Sequence, residues 1–170
     1  MSSFEIQGGK SLSGSITPQG AKNEALQILC AVLLTSEEVT ISNIPDILDV
    51  NKLIALLAAM GVRVNKISAD TYTFKAENID ISYQETEEFS RQASSLRGSV
   101  MIVGPLLARY GKGSIPKPGG DKIGRRRLDT HFIGLQKLGA HFDLDSSKGF
   151  TRVTADKLKG AYMLLDEASV

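Results

Sequence analysis

Two pairs of segments in this 170-residue chain repeat at nearly fixed spacing, and that repetition constrains the fold more than any single motif. VLLTSEEVTI (32–41) and LLARYGKGSI (106–115) lie 74 positions apart, and each runs from an apolar helix end through a polar turn into a short β-type run. LIALLAAMGVRV (53–64) and HFIGLQKLGAHF (131–142) lie 78 apart, and each closes a helical pattern on a glycine, Gly61 or Gly139, before a strand pattern. Glycine at that place predicts a left-handed helix cap. Growth of the offset from 74 to 78 means that the second copy carries about four extra residues within 116–130, where the first has the plain connection SNIPDILDV (42–50).

A third start follows. LSGSITPQGAKNEAL (12–26) and KLKGAYMLLDEASV (157–170) both open on Leu-x-Gly and a strand pattern, and the second stops where its helix should begin. The reading is therefore an α/β chain of β-α-β-α-β-β repeats, about two plus the start of a third (units about 11–78, 79–156 and 157–170), cut from something longer. Periodicity places strands at 3–7, 12–17, 38–42, 62–67, 71–75, 79–82, 113–116, 140–145, 149–154 and 162–165. Helices are expected at 21–35, 49–60, 93–110 and 128–138, with an acidic turn at 85–89.

Composition narrows the function. The net charge of +1 lacks the broad basic excess of a nucleic-acid binder. The apolar run ALQILCAVLL (25–34) is too short to span a bilayer, and MSSFEIQGGK has no signal-peptide core. The single cysteine, Cys30, cannot form an intrachain disulfide and reads as a buried, inert thiol on an apolar helix. These features predict a cytoplasmic protein without membrane insertion.

Positive charge is instead local. The inserted stretch PGGDKIGRRRLDTH (118–131) combines Gly119, Gly120 and Gly124 with Lys122, Arg125, Arg126 and Arg127 ahead of a helix start. Arginine forks match phosphate and carboxylate oxygens, glycines let backbone approach a ligand, and a helix N-terminus favours anions. The glycine spacing fits neither a dinucleotide fingerprint nor a Walker A loop. Residue types alone lead to an anion-binding loop, with a solvated basic turn as the plain alternative.

Three stretches, QGAKNEALQI (19–28), SSLRGSVMIVGPLLARYG (94–111) and PGGDKIGRRRLDTHFIGLQKLGA (118–140), together resemble the UDP-N-acetylglucosamine 1-carboxyvinyltransferase family of enolpyruvyl transferases. The resemblance runs the length of the chain. It implies an inside-out α/β barrel of two similar domains around a cleft, with this chain covering an incomplete first domain (22–170) preceded by strands (1–21) that pack with the second. The implied partners are phosphoenolpyruvate, UDP-N-acetylglucosamine and that second domain, which supplies a further catalytic aspartate and an arginine. No cofactor or metal is implied. The implied reaction protonates the methylene carbon of phosphoenolpyruvate, adds the sugar 3-hydroxyl to give a tetrahedral adduct and eliminates phosphate.

Residue by residue, the resemblance implies that Lys22, Asn23 and Arg126 bind phosphoenolpyruvate. Asn23, Arg97, Arg126, Arg127, Leu128, Asp129, Thr130, Glu167, Ala168, Ser169 and Val170 would hold the nucleotide sugar, with His131 near the site. Asp121 stands where most members carry the cysteine that donates the proton. It would be the catalytic acid here, and its carboxylate would be a poor nucleophile toward fosfomycin, which alkylates that cysteine. The alternatives are the related 3-phosphoshikimate transferase, whose early lysine sits in a Ser-Lys-Ser setting rather than Ala-Lys-Asn, and a non-catalytic anion-binding domain. An exposed first-turn lysine is the plain reading of Lys22 alone.

Overall fold

A computed structural model describes residues 3–116, 128–145 and 150–165. The repeat is visible as two three-stranded antiparallel sheets of the same topology. The first contains β1 (Glu38–Ile41), β2 (Arg63–Lys66) and β3 (Tyr72–Lys75), in the order β1-β3-β2. The second contains β4 (Lys112–Pro116), β5 (His141–Asp145) and β6 (Phe150–Thr154), in the order β4-β6-β5. Register agrees as well: Val64 pairs with Phe74 as Phe142 pairs with Val153, and the central-strand residues Phe74 and Val153 are both fully buried. Helix α2 (Leu48–Ala59) joins β1 to β2, and α5 (Asp129–Lys137) joins β4 to β5.

Both helices end alike. Gly61 (φ 101°) and Gly139 (φ 104°) take the left-handed conformation. In the first copy Gly61 N–H donates to Ala58 O and Val62 N–H to Leu57 O; in the second Gly139 N–H donates to Gln136 O and Ala140 N–H to Leu135 O. This is the Schellman pattern, and it satisfies carbonyls the helix leaves open. A Cβ on Gly61 would sit 2.5 Å from Asn78 O. Gly61→Ala is therefore expected to cost about 2 kcal/mol in chemical unfolding, from strain and crowding together.

The helical layer departs from expectation in instructive ways. Helix α1 (Lys22–Ala31) tightens into a 3-10 turn at Val32–Leu34, within the expected span. The single helix expected at 93–110 is three pieces: α3 (Glu87–Ser94), a 3-10 turn (Arg97–Ile102) and α4 (Val103–Tyr110). The acidic turn expected at 85–89 instead begins α3, because Thr86 Oγ1 accepts the Phe89 N–H at 3.1 Å and Glu87 and Glu88 favour a first turn. The strand expected at 79–82 is a 3-10 turn, Ile81–Glu85, capped by Asp80, which accepts from the Ser82 hydroxyl and from the Ser82 and Tyr83 N–H groups. The Ser82 hydroxyl first, with those two N–H groups, holds the Asp80 carboxyl below its ordinary value of 3.8 against a smaller desolvation effect. The cap's stabilisation is thus present above the ordinary carboxyl range and is lost as pH falls through the lowered value.

The strands expected at 3–7, 12–17 and 162–165 do not form among the described residues. Their alternation is real, yet Phe4, Ile6, Leu12, Ile16, Tyr162 and Leu164 all stand more than four-fifths exposed, with no neighbouring strand to take their N–H and C=O groups.

One core lies under the first sheet, with Leu29, Leu33, Leu53, Leu56, Leu57, Met60, Phe74, Phe89, Leu96 and Leu106. A smaller one lies under the second, with Val100, Val103, Leu107, Ile115 and Val153. Arg109 joins the copies: its Nη1 donates to the carbonyls of Leu33 (3.1 Å), Thr35 (3.0 Å) and Ala76 (2.7 Å). Within the second copy Gln84, fully buried, accepts the Ser114 N–H at 2.8 Å and ties the 3-10 turn to β4. Cys30 is buried as expected, and burial pushes its thiol up to about 12. A thiol reagent at pH 8 should leave the native chain unlabelled and label one site after denaturation.

Candidate anion-binding groove

Three helix starts meet along one open groove of about 1070 Å³, lined by residues of α1, α2, the Arg97 turn and the entry to α5. Lys22 and Asn23 come from the first turn of α1, Leu48, Asp49 and Lys52 from α2, Arg97 from its 3-10 turn, and Leu128 and His131 from the start of α5. Local sequence explains the arrangement. The chain enters α1 past Gly20, where any Cβ would collide with the Asn43 carbonyl, so the approach to Lys22 lies directly against the exit from β1. Asn43 itself takes a left-handed φ of 58°, which asparagine tolerates.

Capping is distributed unevenly. Away from the groove, Asp80 and Thr86 close their helix starts with side-chain oxygens. At the groove the N-cap residues are Ala21, Ile47 and Leu128, none of which forms a side-chain cap. Apart from the His131 N–H, which donates to Leu128 O at 3.0 Å, the first-turn N–H groups of α1, α2 and α5 have no side-chain cap, and three positive dipole ends face one space. Each first turn also holds an acid, Glu24, Asp49 or Asp129. Asp49 Oδ2 takes the Lys22 ammonium at 3.1 Å, with both side chains more than a third exposed. The Lys52 ammonium donates to Ser95 O at 3.5 Å.

The structure thus brings Lys22, Asn23, Arg97, Leu128 and His131 together, from segments widely separated in sequence. Asp129 and Thr130 open α5 beside them, and the Thr130 hydroxyl is buried without a hydrogen-bond partner among the described residues. Asp121, Lys122, Arg125, Arg126, Arg127, Glu167, Ala168, Ser169 and Val170 lie outside the described residues. Asp49 and Lys52 were missed by the sequence reading, although Asp49 lies near the end of the connection that is the counterpart of the inserted loop in the other copy and Lys52 follows it on α2. Among the described residues, no group of three or more His, Cys, Asp or Glu side chains is gathered as metal ligands, and no helix is long and apolar enough to cross a membrane.

Fold and groove define an α/β repeat protein with a polar cleft built from helix starts, in which Lys22, Lys52 and Arg97 stand with Glu24 and Asp49. Comparison with known proteins is specific about its lineage. Residues 6–170 match EPSP synthase (3-phosphoshikimate 1-carboxyvinyltransferase), and the chain belongs to that family. It is 66% identical over 170 residues to the UDP-N-acetylglucosamine 1-carboxyvinyltransferase of Bacteroides thetaiotaomicron and 57% identical to that of Porphyromonas gingivalis. In both cases all of this chain aligns with 39% of the relative, so the chain spans about two-fifths of the length of these curated proteins. Among solved structures, the enolpyruvyl transferase NikO from Streptomyces tendae superposes with a TM-score of 0.68 at 23% identity, over 89% of this chain and 32% of that one. EPSP synthase from Acinetobacter baumannii gives 0.64 at 17% identity, over 92% and 35%. Both have the fold that the resemblance implied, the inside-out α/β enolpyruvyl-transferase architecture, of which this chain forms a part.

Proposed function

We propose that this chain forms the N-terminal, substrate-gripping portion of a cytoplasmic enzyme that transfers the enolpyruvyl group of phosphoenolpyruvate to the 3-hydroxyl of UDP-N-acetylglucosamine. The observation that carries the reading is the groove, where Lys22, Asn23 and Arg97 converge on three uncapped helix starts. Both substrates are polyanions, and fixed donors aimed at developing negative charge stabilise it without reorganisation. The relatives at 57–66% identity, all UDP-N-acetylglucosamine 1-carboxyvinyltransferases, favour this acceptor over shikimate 3-phosphate.

In this reading Lys22 is a point charge for phosphoenolpyruvate, and Asn23 and Arg97 reach the sugar nucleotide. Arg126 binds phosphoenolpyruvate and, with Arg127, Leu128, Asp129 and Thr130, the uridine end of the nucleotide sugar, and Glu167, Ala168, Ser169 and Val170 add a second nucleotide contact. A second domain supplies the remaining catalytic groups and packs against residues 1–21, whose exposed Phe4, Ile6, Leu12 and Ile16 fit such a contact. Asp121 protonates the phosphoenolpyruvate methylene carbon. A free carboxyl of reference value about 3.9 is too acidic for that role near neutrality, so Asp121 acts in the loaded, water-excluded complex, where neighbouring anions raise its proton affinity.

Calorimetric titration of the chain tests the acceptor. UDP-N-acetylglucosamine is expected to bind weakly and shikimate 3-phosphate not at all, and no phosphate is expected to be released above background by the chain alone. Preference for shikimate 3-phosphate would overturn the assignment. Fosfomycin is expected to leave no adduct on residues 116–130, because a carboxylate attacks the epoxide poorly; an adduct found there by mass spectrometry would remove that argument.

A further inference from the structure

We propose that Lys52 binds a phosphoryl oxygen of the ligand, so that α2 contributes its own cation to the groove beside those of α1 and the Arg97 turn. The inference rests on reading the groove as an anion site, and it names a group that the sequence pattern did not single out. Asp49 and Lys52 are three residues apart on α2 and so share a face. Asp49 is engaged by Lys22 at 3.1 Å. Among the described residues no carboxylate pairs with Lys52. Its ammonium has one long bond, 3.5 Å to the Ser95 carbonyl, at an exposed position. A contact of that length is weak and is given up easily for a charged acceptor. A compact ammonium on a flexible stem suits a phosphate as a point charge.

Leu48 supplies a second pointer. It is 68% exposed, lines the groove and precedes Lys52 by four residues, one helical turn. An apolar side chain beside an unpaired ammonium fits a ligand that offers a ring face next to its phosphates. That favours the diphosphate of the nucleotide sugar over the phosphate of phosphoenolpyruvate as the oxygen bound.

The test is titration of the 170-residue chain and its Lys52→Met variant with UDP-N-acetylglucosamine, phosphoenolpyruvate and inorganic phosphate, each at low and high salt. Lys52→Met keeps the stem and removes the charge; Lys66→Met, on β2 outside the groove, is the control, and Tm checks folding. Expected are a roughly tenfold loss for the nucleotide sugar, a shallower salt dependence, little change for phosphoenolpyruvate and an unchanged Tm. A loss confined to phosphoenolpyruvate would keep Lys52 as a phosphoryl ligand and overturn the choice of diphosphate. Unchanged binding of all three ligands by Lys52→Met, while Lys22→Met binds more weakly, would overturn the proposal and leave the groove reading standing. Failure of the wild-type chain to bind any of them at millimolar concentration would overturn both.

Discussion

Lys22→Met is expected to weaken phosphoenolpyruvate binding by the chain roughly 10- to 100-fold, the cost of a lost charge-assisted contact. The loss has two parts. Removing the ammonium deletes an attraction, and it also strips Asp49 of its 3.1 Å partner, leaving a bare carboxylate that would repel the proposed anionic ligand. The double variant Lys22→Met/Asp49→Asn should therefore bind better than Lys22→Met alone, a coupling that calorimetry on the four proteins of the cycle would measure. Asp49→Asn by itself frees the ammonium and should bind phosphoenolpyruvate at least as tightly as the wild type. If the double variant is no better than the single one, the acid does not oppose the ligand, and the Lys22–Asp49 pair is only a surface contact.

The second large effect concerns stability. Arg109→Ala is expected to cost about 3 kcal/mol in urea unfolding, because it leaves three carbonyls of the first copy, those of Leu33, Thr35 and Ala76, without their shared donor. Arg109→Lys should recover only part of this, since the lysine stem is shorter and its ammonium falls short of the place of Nη1, from which all three bonds are made. Arg109 also lies over the Tyr110 ring at 5.0 Å, and a Tyr110→Leu variant should show the smaller share of that contact. A loss below 1 kcal/mol for Arg109→Ala would mean that apolar packing alone holds the copies together.

Much of this architecture was legible because repetition fixes register without any knowledge of contacts. The offsets of 74 and 78 reappear as the spacing of Ile41 to Ile115 in β1 and β4 and of Val64 to Phe142 in β2 and β5. Gly61 and Gly139 marked their helix ends because few other residues tolerate that φ. The misses have equally local causes. Thr86 and Asp80 are capping residues, and a polar cluster read as a turn or strand was in fact two helix starts. The segment 93–110 looked continuous because its apolar spacing carries across Leu96, where the chain takes an extended φ of −139° and ψ of 117°. Alternation at 3–7 and 12–17 could not form strands without neighbours.

The groove was legible by half. Lys22, Asn23 and Arg97 were named from motifs, and their convergence is the tertiary fact that motifs cannot supply. Asp49 escaped because the first copy's connection looked plain beside its longer twin, and Lys52 because it reads as an ordinary surface lysine of α2. The available signal was positional: 42–50 occupies the place in its unit that the arginine-rich insertion occupies in the other.

The unsealed helix starts at Ala21, Ile47 and Leu128 carry a thermodynamic consequence. A missing N-cap forgoes about 1 kcal/mol, so the three uncapped starts together forgo something near ~3 kcal/mol of folded-state stability. On the proposed function, a bound anion would restore that hydrogen bonding from outside the polypeptide. Heat resistance of the molecule should therefore track metabolite supply, with the melting curve climbing as nucleotide sugar accumulates and sinking when it is exhausted.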